Sequence, residues 1–300
     1  MTLRHMRIFR ALYDNDCNTT KTAEALNMTQ PAVSQAIKEL EQYYGVSLFD
    51  RVGRKLVITE AGMVLLKYAV HISSLFEIAE KEVKDVDQNG EVKIGATLTI
   101  GSLFLPKYVK NFKNKYPKTE VKGLVAPTSL LEMKILSFDL DFALIEGIAH
   151  HPDIISKEYM DDALCVVTLA DGKYESEQTI SIEEFKNQPV LLREAGSGTR
   201  EIFERAAEKA GFSVTPSWEA ISTVAIVNAT LSGLGMAVLP YRVVYPYIKD
   251  GSLIKINVEK LDLNRKFYII RHKDKHLSKA AKNFLSSCEE YKSEYPVPVY

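Results

Sequence analysis

The fold is decided by residues 19–40, which read TTKTAEALNMTQPAVSQAIKEL. In the first part, Ala23 and Leu26 lie three residues apart, on one face of a short helix. The second part carries an apolar stripe with the spacing i, i+4, i+7, formed by Val33, Ile37 and Leu40. A short polar segment separates the two patterns. The sequence therefore predicts two helices joined by a tight turn.

The second predicted helix has clear signals at its start. Thr29 can cap it, and Pro31 is tolerated in the first turn because the N–H group there has no intrahelical acceptor. A helix that buries the apolar stripe turns its other side to solvent. That outer side is expected to carry Pro31, Ser34, Gln35 and Lys38.

Hydrogen-bonding side chains of this kind can recognise base edges in duplex DNA. Glutamine can pair bidentately with adenine, serine can bond to either base type, and lysine can reach guanine or phosphate. In a helix-turn-helix, residues near the start of the second helix reach the bases. Gln30, Ser34 and Gln35 are therefore the base-reading candidates, with Thr29 and Lys38 nearer the backbone. The alternative is an ordinary helical hairpin with a solvated polar face.

The next segment favours the DNA-binding interpretation. Residues 48–59 read LFDRVGRKLVIT, which predicts a strand, a glycine-containing turn and a second strand. Arg51, Arg54 and Lys55 would lie on this wing, where they could bind phosphates or enter a minor groove. The formal net charge of the chain is −1, so DNA affinity must come from such locally placed cations.

Residues 3–62 resemble the LysR-type transcriptional regulators. The resemblance rests on the runs TQPAVS (29–34), LE (40–41), GVSLFDR (45–51) and ITEAG (58–62), and it extends over nearly all 300 residues. Two positions depart from the family pattern. Thr22 precedes Ala23 where the family usually has paired alanines, and Thr19 stands where an aromatic or large apolar residue is usual.

This resemblance implies an α/β protein with three parts. They are a winged helix-turn-helix over residues 1–59, a long linker and dimerisation helix over 60–89, and a two-lobed effector domain over 90–300. The effector domain would be of the periplasmic-binding-protein-like type 2 class, with lobe I at about 90–160 and 268–300 and lobe II at about 161–267. The resemblance also implies a homodimer, paired into a homotetramer, that binds promoter DNA and contacts RNA polymerase.

The linker helix is also visible in the pattern of apolar residues, which recur at steps of three or four. They are Ala61, Leu65, Tyr68, Ile72, Leu75, Ala79, Val83 and Val86. Charged residues lie on the far side, including Glu77, Lys81, Lys84 and Asp85, and Asn89-Gly90 is a helix stop. An apolar seam of this length requires a partner helix, although packing on its own globular domain is the alternative.

Residues 90–300 alternate strand and helix patterns, which predicts parallel sheets with helices on both faces. Strands are expected at 91–96, 121–125, 142–145, 164–168, 190–192, 236–239 and 267–270, and helices at 100–115, 199–210, 224–231 and 278–291. Chain crossings near Met160 and Lys266 would divide this region into two lobes.

Ligands of such sheets bind beyond the carboxyl ends of strands, at helix N-termini, where hydroxyls and N–H groups suit an anion. The candidate effector-binding residues are Thr97, Leu98, Thr99, Ile100, Glu146, Glu194, Ser197, Gly198, Thr199, Arg200, Ser222 and Thr223. Arg200 could add a bidentate contact to a carboxylate, phosphate or sulfur oxyanion. The alternative is that the hydroxyls only cap helices and that Arg200 pairs with Glu204.

Motif spacing argues against an enzyme. A nucleophile elbow needs glycines two residues before and after Ser197, where Ala195 and Thr199 stand. Neither catalytic nor metal-binding residues are predicted, and no cofactor other than a small, anionic effector. Cys17, Cys165 and Cys288 lack metal-ligand spacing and suit a reduced cytosol.

The chain shows no signal peptide and no apolar run of the ~20 residues that a membrane span requires, so a cytoplasmic location is expected. The favoured function is a ligand-responsive DNA-binding regulator. A cytosolic small-molecule binding protein and a two-lobed enzyme are the alternatives.

Overall fold

The structure is a computed structural model that describes residues 1–53, 55–84 and 90–291, with the side chains at 81, 82 and 84 left out. It divides into two compact units. Unit 1 comprises Met1–Gly90 with Asp274–Ser278, and unit 2 comprises Glu91–Lys273 with Lys279–Tyr300.

Unit 1 contains four helices and one hairpin within its described residues. They are α1 (Leu3–Asp14), α2 (Thr19–Ala25), α3 (Gln30–Tyr44), β1 (Phe49–Val52), β2 (Lys55–Ile58) and α4 (Glu60–Lys84). The strands pair antiparallel, with Phe49 opposite Ile58 and Val52 opposite Lys55. The predicted helix-turn-helix and wing are thus confirmed.

Local chemistry fixes the boundaries of α2 and α3. The Asn18 side chain accepts hydrogen bonds from the N–H groups of Thr20 and Lys21, so it caps α2. Thr29 occupies the cap position of α3 with extended backbone, but its side chain makes no capping bond. Gly45 ends α3 in the left-handed region, at φ 69°, which glycine adopts without steric cost.

Two positions in the family-like sequence have a packing explanation. Thr22 is fully buried, and its hydroxyl donates to the Asn18 carbonyl at 2.7 Å, so the polar group in the first helix is satisfied. Gly62 lies against the hairpin, where an added Cβ would come within 2.3 Å of the Leu48 carbonyl oxygen. The close packing of α4 on that carbonyl therefore requires glycine.

Helix α4 is long, as predicted, and its two sides differ. Leu65, Leu66 and Ala69 belong to the unit 1 core. Large apolar side chains elsewhere on the helix are exposed: Met63, Val64, Tyr68, Ile72, Leu75, Phe76 and Val83. The predicted seam and helix stop also included Asp85, Val86 and Asn89, which lie outside the described residues.

The expectation that the chain has no apolar run of membrane-spanning length is wrong for this helix. Glu60–Glu80 is long and apolar enough to cross a membrane by length and composition alone, and 33% of its apolar window is buried within the structure. The physical reason is that apolar residues occupy most of the helix circumference, not only the side that packs on unit 1.

Unit 2 is built on a mixed sheet. Its strands are β3 (Glu91–Ala96), β4 (Glu120–Val125), β5 (Phe142–Ile145), β6 (Ile154–Leu169), β7 (Thr179–Ile180), β8 (Val190–Arg193), β9 (Trp218–Ala220), β10 (Met236–Pro240), β11 (Leu253–Val258) and β12 (Asn264–His272). Its helices are α5 (Leu98–Leu103), α6 (Leu105–Lys115), α7 (Thr128–Leu136), α8 (Ile182–Lys186), α9 (Gly198–Lys209), α10 (Thr223–Leu231), α11 (Tyr241–Lys249) and α12 (Lys279–Glu289).

Strand β6 runs through both lobes. Its residues 154–163 pair with β12, and its residues 164–169 pair with β10 and β11. All three pairings are antiparallel, whereas β3 pairs parallel with β4 and β5. The expected parallel pairing is therefore found in part of the sheet, and the rest of the sheet is antiparallel. The antiparallel pairs arise because β6 and β12 cross between the lobes in opposite directions.

Other differences have local causes. The predicted helix over 100–115 is two helices, because Pro106 cannot donate an N–H to the turn before it and α6 restarts there. Helix α11 was missed, and it contains Pro246, a residue that argues against helix in sequence. Strand β11 was also missed, since its buried Lys255 interrupts the apolar pattern.

Candidate functional site

The outer side of α3 is polar and accessible. Val33 and Leu40 are fully buried, while Pro31, Gln35 and Lys38 are exposed and Ser34 is half-buried. The predicted side chains are thus presented together on one surface of unit 1. Their role in DNA binding stays a prediction.

Gln30 and Ser34 are joined to the helix before them. The Gln30 Nε2 donates to Ser34 Oγ at 2.9 Å and to Thr19 Oγ1 at 3.2 Å. Thr19 is the position where the family pattern has a large apolar residue. Here its hydroxyl ties α2 to the first residue of α3.

Gln35 belongs to a second network. Its Nε2 donates to Glu39 Oε1 at 2.9 Å, and Glu39 Oε2 lies 2.8 Å from His5 Nε2 on α1. The hydrogen bonds from Gln35 and His5 hold the pKa of Glu39 below its usual value. The carboxylate is therefore ionised at neutral pH.

The wing carries exposed cations. Arg51 and Lys55 are exposed on the two strands of the hairpin, with Arg51 opposite Leu56 in the register. Arg54, the third predicted phosphate-binding residue, lies outside the described residues.

A cleft opens in unit 2 where the two lobes meet. The concave space measures about 340 Å³ when the open solvent at its mouth is included. Lobe I lines it with Thr97, Leu98, Pro127, Thr128 and Glu146, and lobe II with Arg193, Glu194, Gly196, Ser197, Gly198 and Thr199. Small-ligand sites are concave spaces of this kind with a few convergent polar groups.

Glu146 occupies the lobe I side of the cleft as a buried carboxylate. Thr97 Oγ1 and Thr99 N–H donate to Oε1 at 2.9 and 2.7 Å, and Thr99 Oγ1 donates to Oε2 at 2.8 Å. Arg265 Nη1 and Thr199 Oγ1 donate to Oε2 at 3.1 and 3.4 Å. Burial alone would raise the pKa of Glu146, but the Arg265 charge and the threonine hydrogen bonds outweigh burial and lower it.

This carboxylate changes one expectation. Thr97 and Thr99 were expected to offer free donors to an anion, but the Thr99 N–H and both hydroxyls bond to Glu146 instead. The N-terminal end of α5 therefore already holds an anion of the protein itself.

Glu146 is the end of a buried chain of alternating charges. Arg265 bridges Glu146 to Asp162, with its Nε donating to Asp162 Oδ2 at 2.7 Å. Its Nη2 also lies 2.7 Å from that oxygen, as an ion pair without hydrogen-bond geometry. Arg242 Nε donates to Asp162 Oδ1 at 2.8 Å, and its guanidinium lies over the Phe104 ring. The four charges sum to zero, which makes their burial tolerable.

Four residues that line the cleft were not among the candidates: Pro127, Thr128, Gly196 and Arg193. Arg193 is the charged one of the four. It is 5% exposed, and its Nε and Nη2 donate to the two carboxylate oxygens of Glu194 at 2.8 and 2.9 Å. Its Nη1 donates to Thr223 Oγ1 at 3.0 Å. Its position as the last residue of β8 was the available signal, since ligands bind beyond the carboxyl ends of strands.

Several predicted residues lie beside the cleft instead of lining it. Arg200 forms ion pairs with Glu204, at 2.6 Å, and with Glu219. The alternative interpretation expected the pair with Glu204 but not the one with Glu219. Ile100 is fully buried in an apolar cluster of lobe I. Ser222 caps α10 by accepting a hydrogen bond from the Ala225 N–H, and the Thr223 hydroxyl accepts one from Arg193.

Among the described residues, no group of three or more His, Cys, Asp or Glu side chains is placed to hold a metal ion. Cys165 and Cys288 are buried, and burial raises the pKa of both thiols. Cys17 is half-buried, and its pKa is also raised by burial.

Two family models match successive parts of the chain. Residues 3–63 match the family described as bacterial regulatory helix-turn-helix protein, lysR family, and residues 86–293 match the LysR substrate binding domain. The chain belongs to the LysR family of transcriptional regulators, with an N-terminal DNA-binding domain and a two-lobed effector-binding domain.

Individual relatives cover almost the whole chain. It is 33% identical over 296 residues to the uncharacterized HTH-type transcriptional regulator YeiE of Escherichia coli, covering 96% of this chain and 97% of YeiE. Full-length OxyR from Pseudomonas aeruginosa has the same fold, with a TM-score of 0.68, 20% identity and coverage of 97% and 94%. The regulatory domain of CcmR from Synechocystis, in complex with 2-PG, matches with a TM-score of 0.62, 22% identity and coverage of 67% and 96%.

Proposed function

We propose that this regulator acts as a homodimer, further paired into a homotetramer, in the bacterial cytoplasm. It reads promoter DNA with α3 and the wing, takes a small anionic effector in the cleft of unit 2 and acts on RNA polymerase. The exposed apolar side chains of α4 support the dimer, because a seam of this kind is covered by a second helix in water. Paired recognition helices would read half-sites at multiples of ~34 Å.

The DNA contacts divide by chemistry. Gln30, Ser34 and Gln35 are the base-reading residues, since amides and hydroxyls discriminate bases. Arg51, Lys55 and Lys38 serve phosphates, with Thr29 and Pro31 at the edge of the contact. Effector binding closes the lobes of unit 2 and changes how the dimers pair, which alters the spacing of the DNA-binding domains and the DNA bend.

The observation that carries the anionic effector is the buried Arg193 at the cleft, next to the N-terminus of α9. The first N–H groups of α9 have no intrahelical acceptor. Ser197 occupies the N-cap position of α9, but its side chain makes no capping hydrogen bond, and the residue is only 7% exposed. Arg193, Ser197 and these N–H groups form one anion-binding end of the cleft. Glu146 lies on the lobe I side and its Oε2 is 3.4 Å from the Thr199 hydroxyl of α9. The charged group of the effector would therefore sit beside Arg193 and Ser197, away from the Glu146 carboxylate.

Glu194 sets the condition for binding. Its carboxylate accepts two hydrogen bonds from the Arg193 guanidinium in the structure. An effector anion must therefore share these donors with Glu194 or replace it. Glu194 is more exposed than Arg193, which allows its side chain to turn toward solvent when an anion enters. Leu98 and Pro127 provide the apolar part of the cleft wall.

Thermal unfolding of the full-length chain tests this site. Phosphate, sulfate, 2-PG and small carboxylates are added at matched ionic strength, and one or more should raise the midpoint. A ligand at 100 times its Kd adds about 2.7 kcal/mol to the stability of the state that binds it. Arg193→Met should abolish the rise, measured against its own ligand-free midpoint.

Arg205→Met is the matched control. Arg205 is an exposed arginine of α9 that pairs with Glu201, so the rise should survive its substitution. A flat response to every anion, or an equal rise in Arg193→Met, would contradict the anion site.

A further inference from the structure

A line of three hydrogen-bonded side chains runs from α1 to the outer side of α3. His5 lies 2.8 Å from Glu39, and Glu39 lies 2.9 Å from Gln35, each distance between hydrogen-bonding atoms. Glu39, in the middle of the line, has a side chain that is 47% exposed, and Gln35 at its end is exposed. The line therefore ends on the surface proposed to read DNA.

The protons in this line can be assigned from the partners. His5 Nδ1 lies 3.1 Å from the Thr2 backbone nitrogen and 2.7 Å from the Thr2 hydroxyl, which can donate or accept. His5 Nε2 faces the Glu39 carboxylate, so it carries a proton and donates to Glu39 Oε2. An ionised carboxylate only accepts, so Gln35 must direct its NH₂ group, not its carbonyl, at Glu39 Oε1.

This assignment fixes the orientation of the Gln35 amide. One N–H of the NH₂ group is used by Glu39, which leaves the second N–H and the carbonyl oxygen. Adenine offers an acceptor at N7 and a donor at N6 in the major groove, and it pairs with one N–H and one carbonyl oxygen of glutamine. That pairing uses the N–H on the same side as the carbonyl, so it requires that Glu39 accept from the other N–H.

Gln30 shows the contrast. Its partners Thr19 and Ser34 are hydroxyls, which can either donate or accept, so both orientations of the Gln30 amide can be satisfied. Gln30 can turn over to suit the base it meets, whereas Gln35 cannot without losing the Glu39 bond.

We propose that Glu39 is a positioning residue for base recognition: anchored by His5, it holds Gln35 for adenine and makes its base position the more selective one. This rests on the proposed reading of DNA by α3. A carboxylate on this surface opposes phosphate binding by like charge. Glu39 therefore reduces affinity for DNA in general while raising selectivity at one base pair.

The test is selection of duplexes from a randomised pool by the full-length chain, followed by sequencing and binding measurements at changed base pairs. Gln35→Ala should abolish an adenine preference at one position of each half-site. Glu39→Ala should reduce the same preference by roughly fivefold or more, because good bidentate pairs discriminate by about 1–3 kcal/mol. Glu39→Ala should also bind unselected duplexes more tightly.

Two variants separate position from charge. Glu39→Gln loses the charge but keeps an oxygen that can accept from Gln35, so it should retain most of the adenine preference. Glu24→Ala removes a negative charge from an exposed site on α2, so it should raise general affinity and leave the motif unchanged. Thermal unfolding checks that each variant is folded.

The outcomes are distinguishable. If the unsubstituted chain enriches no motif, the proposed DNA reading is overturned, and this inference with it. If a motif is enriched but Glu39→Ala keeps it with undiminished preference, only the role of Glu39 is overturned. If Glu39→Gln loses the preference as fully as Glu39→Ala while both variants bind random duplexes alike, a charge effect replaces positioning.

Discussion

On α3 the base-reading candidates face solvent, whereas in unit 2 the buried charged side chains behind the cleft face one another. Gln35 and Lys38 are exposed, and the Gln35 partner Glu39 lies on α3 itself. Glu146, Asp162, Arg242 and Arg265 are each at most 6% exposed, and they are satisfied by residues up to 119 positions away in the chain.

The difference bears on how each site works. A polar surface that is solvated in the free protein loses little when a variant removes one side chain, and the loss shows in binding. A buried charge network is part of the fold, because any unpaired member leaves a charge without solvent or a partner. Substitutions should therefore affect selectivity in unit 1 and stability in unit 2.

The largest expected effect is the loss of Arg265. Arg265→Ala leaves Glu146 and Asp162 with fewer buried cations, and removing one partner of a buried ion pair typically costs 3–5 kcal/mol, so unit 2 should lose about that much stability. Urea unfolding can follow unit 2 alone, because the single tryptophan of the chain, Trp218, lies on β9.

Arg205→Ala provides the surface control. Its ion pair with Glu201 is exposed and spans one helical turn, which is worth about 0.3–0.5 kcal/mol. If Arg265→Ala unfolds at the same urea concentration as Arg205→Ala, the buried network does not stabilise unit 2 and the contrast between the two regions fails.

A pH series gives the next largest effect. The pKa of Glu146 is lowered in the folded protein from an ordinary value of 4.5, so its contribution to stability is present above that value. The contribution is lost as the pH falls from 4.5 through the lowered folded pKa. Urea unfolding followed by Trp218 should show a steeper loss of stability in this range than Glu146→Gln shows.

Glu146→Gln cannot titrate at this position, so the difference between the two slopes reports Glu146 while other carboxylates cancel. The substitution itself should lower stability at pH 7, because an uncharged amide weakens the contact with Arg265. Parallel slopes for the two proteins below pH 4.5 would mean that Glu146 is not held as a charged group.

The sequence predicted the exposed side of α3, which carries the base-reading candidates, more completely than the cleft. Val33, Ile37 and Leu40 define the buried side of α3 by spacing alone, so the outer side follows from helix geometry. Contacts such as that between Gln30 and Thr19 span few residues. The departure at Thr19 was visible in the sequence, but its bond to Gln30 was not.

The cleft could be predicted only as a set of loops. Strand ends and helix starts placed Thr97, Ser197 and Thr199 near one another, and all three line the cleft. Thr97 donates its hydrogen bond to Glu146 instead of to a ligand because Glu146 is held as a buried anion beside Arg265, which also binds Asp162. The pairing of β6 with β12 brings Arg265 and Asp162 together. Spacing within one segment carries no information on such pairings, and for the same reason the antiparallel strands were missed.

The smallest expected effect concerns the three cysteines, which belong to neither candidate site. Their alkylation rates compare how readily unit 1 and unit 2 expose buried side chains. Alkylation requires the thiolate, and burial raises the pKa of Cys165 and Cys288 so that little thiolate forms at neutral pH. Cys17 in unit 1 is only half-buried, although its pKa is also raised.

With iodoacetamide at about pH 8, near the usual thiol pKa, mass spectrometry should find Cys17 modified first and slowly, with Cys165 and Cys288 unmodified until urea unfolds unit 2. Binding of duplex DNA should be unchanged over the same period if Cys17 faces away from the DNA-reading side of α3. Native-state labelling of Cys165 or Cys288 at the rate of Cys17 would show that the core of unit 2 opens more readily than its buried charges imply.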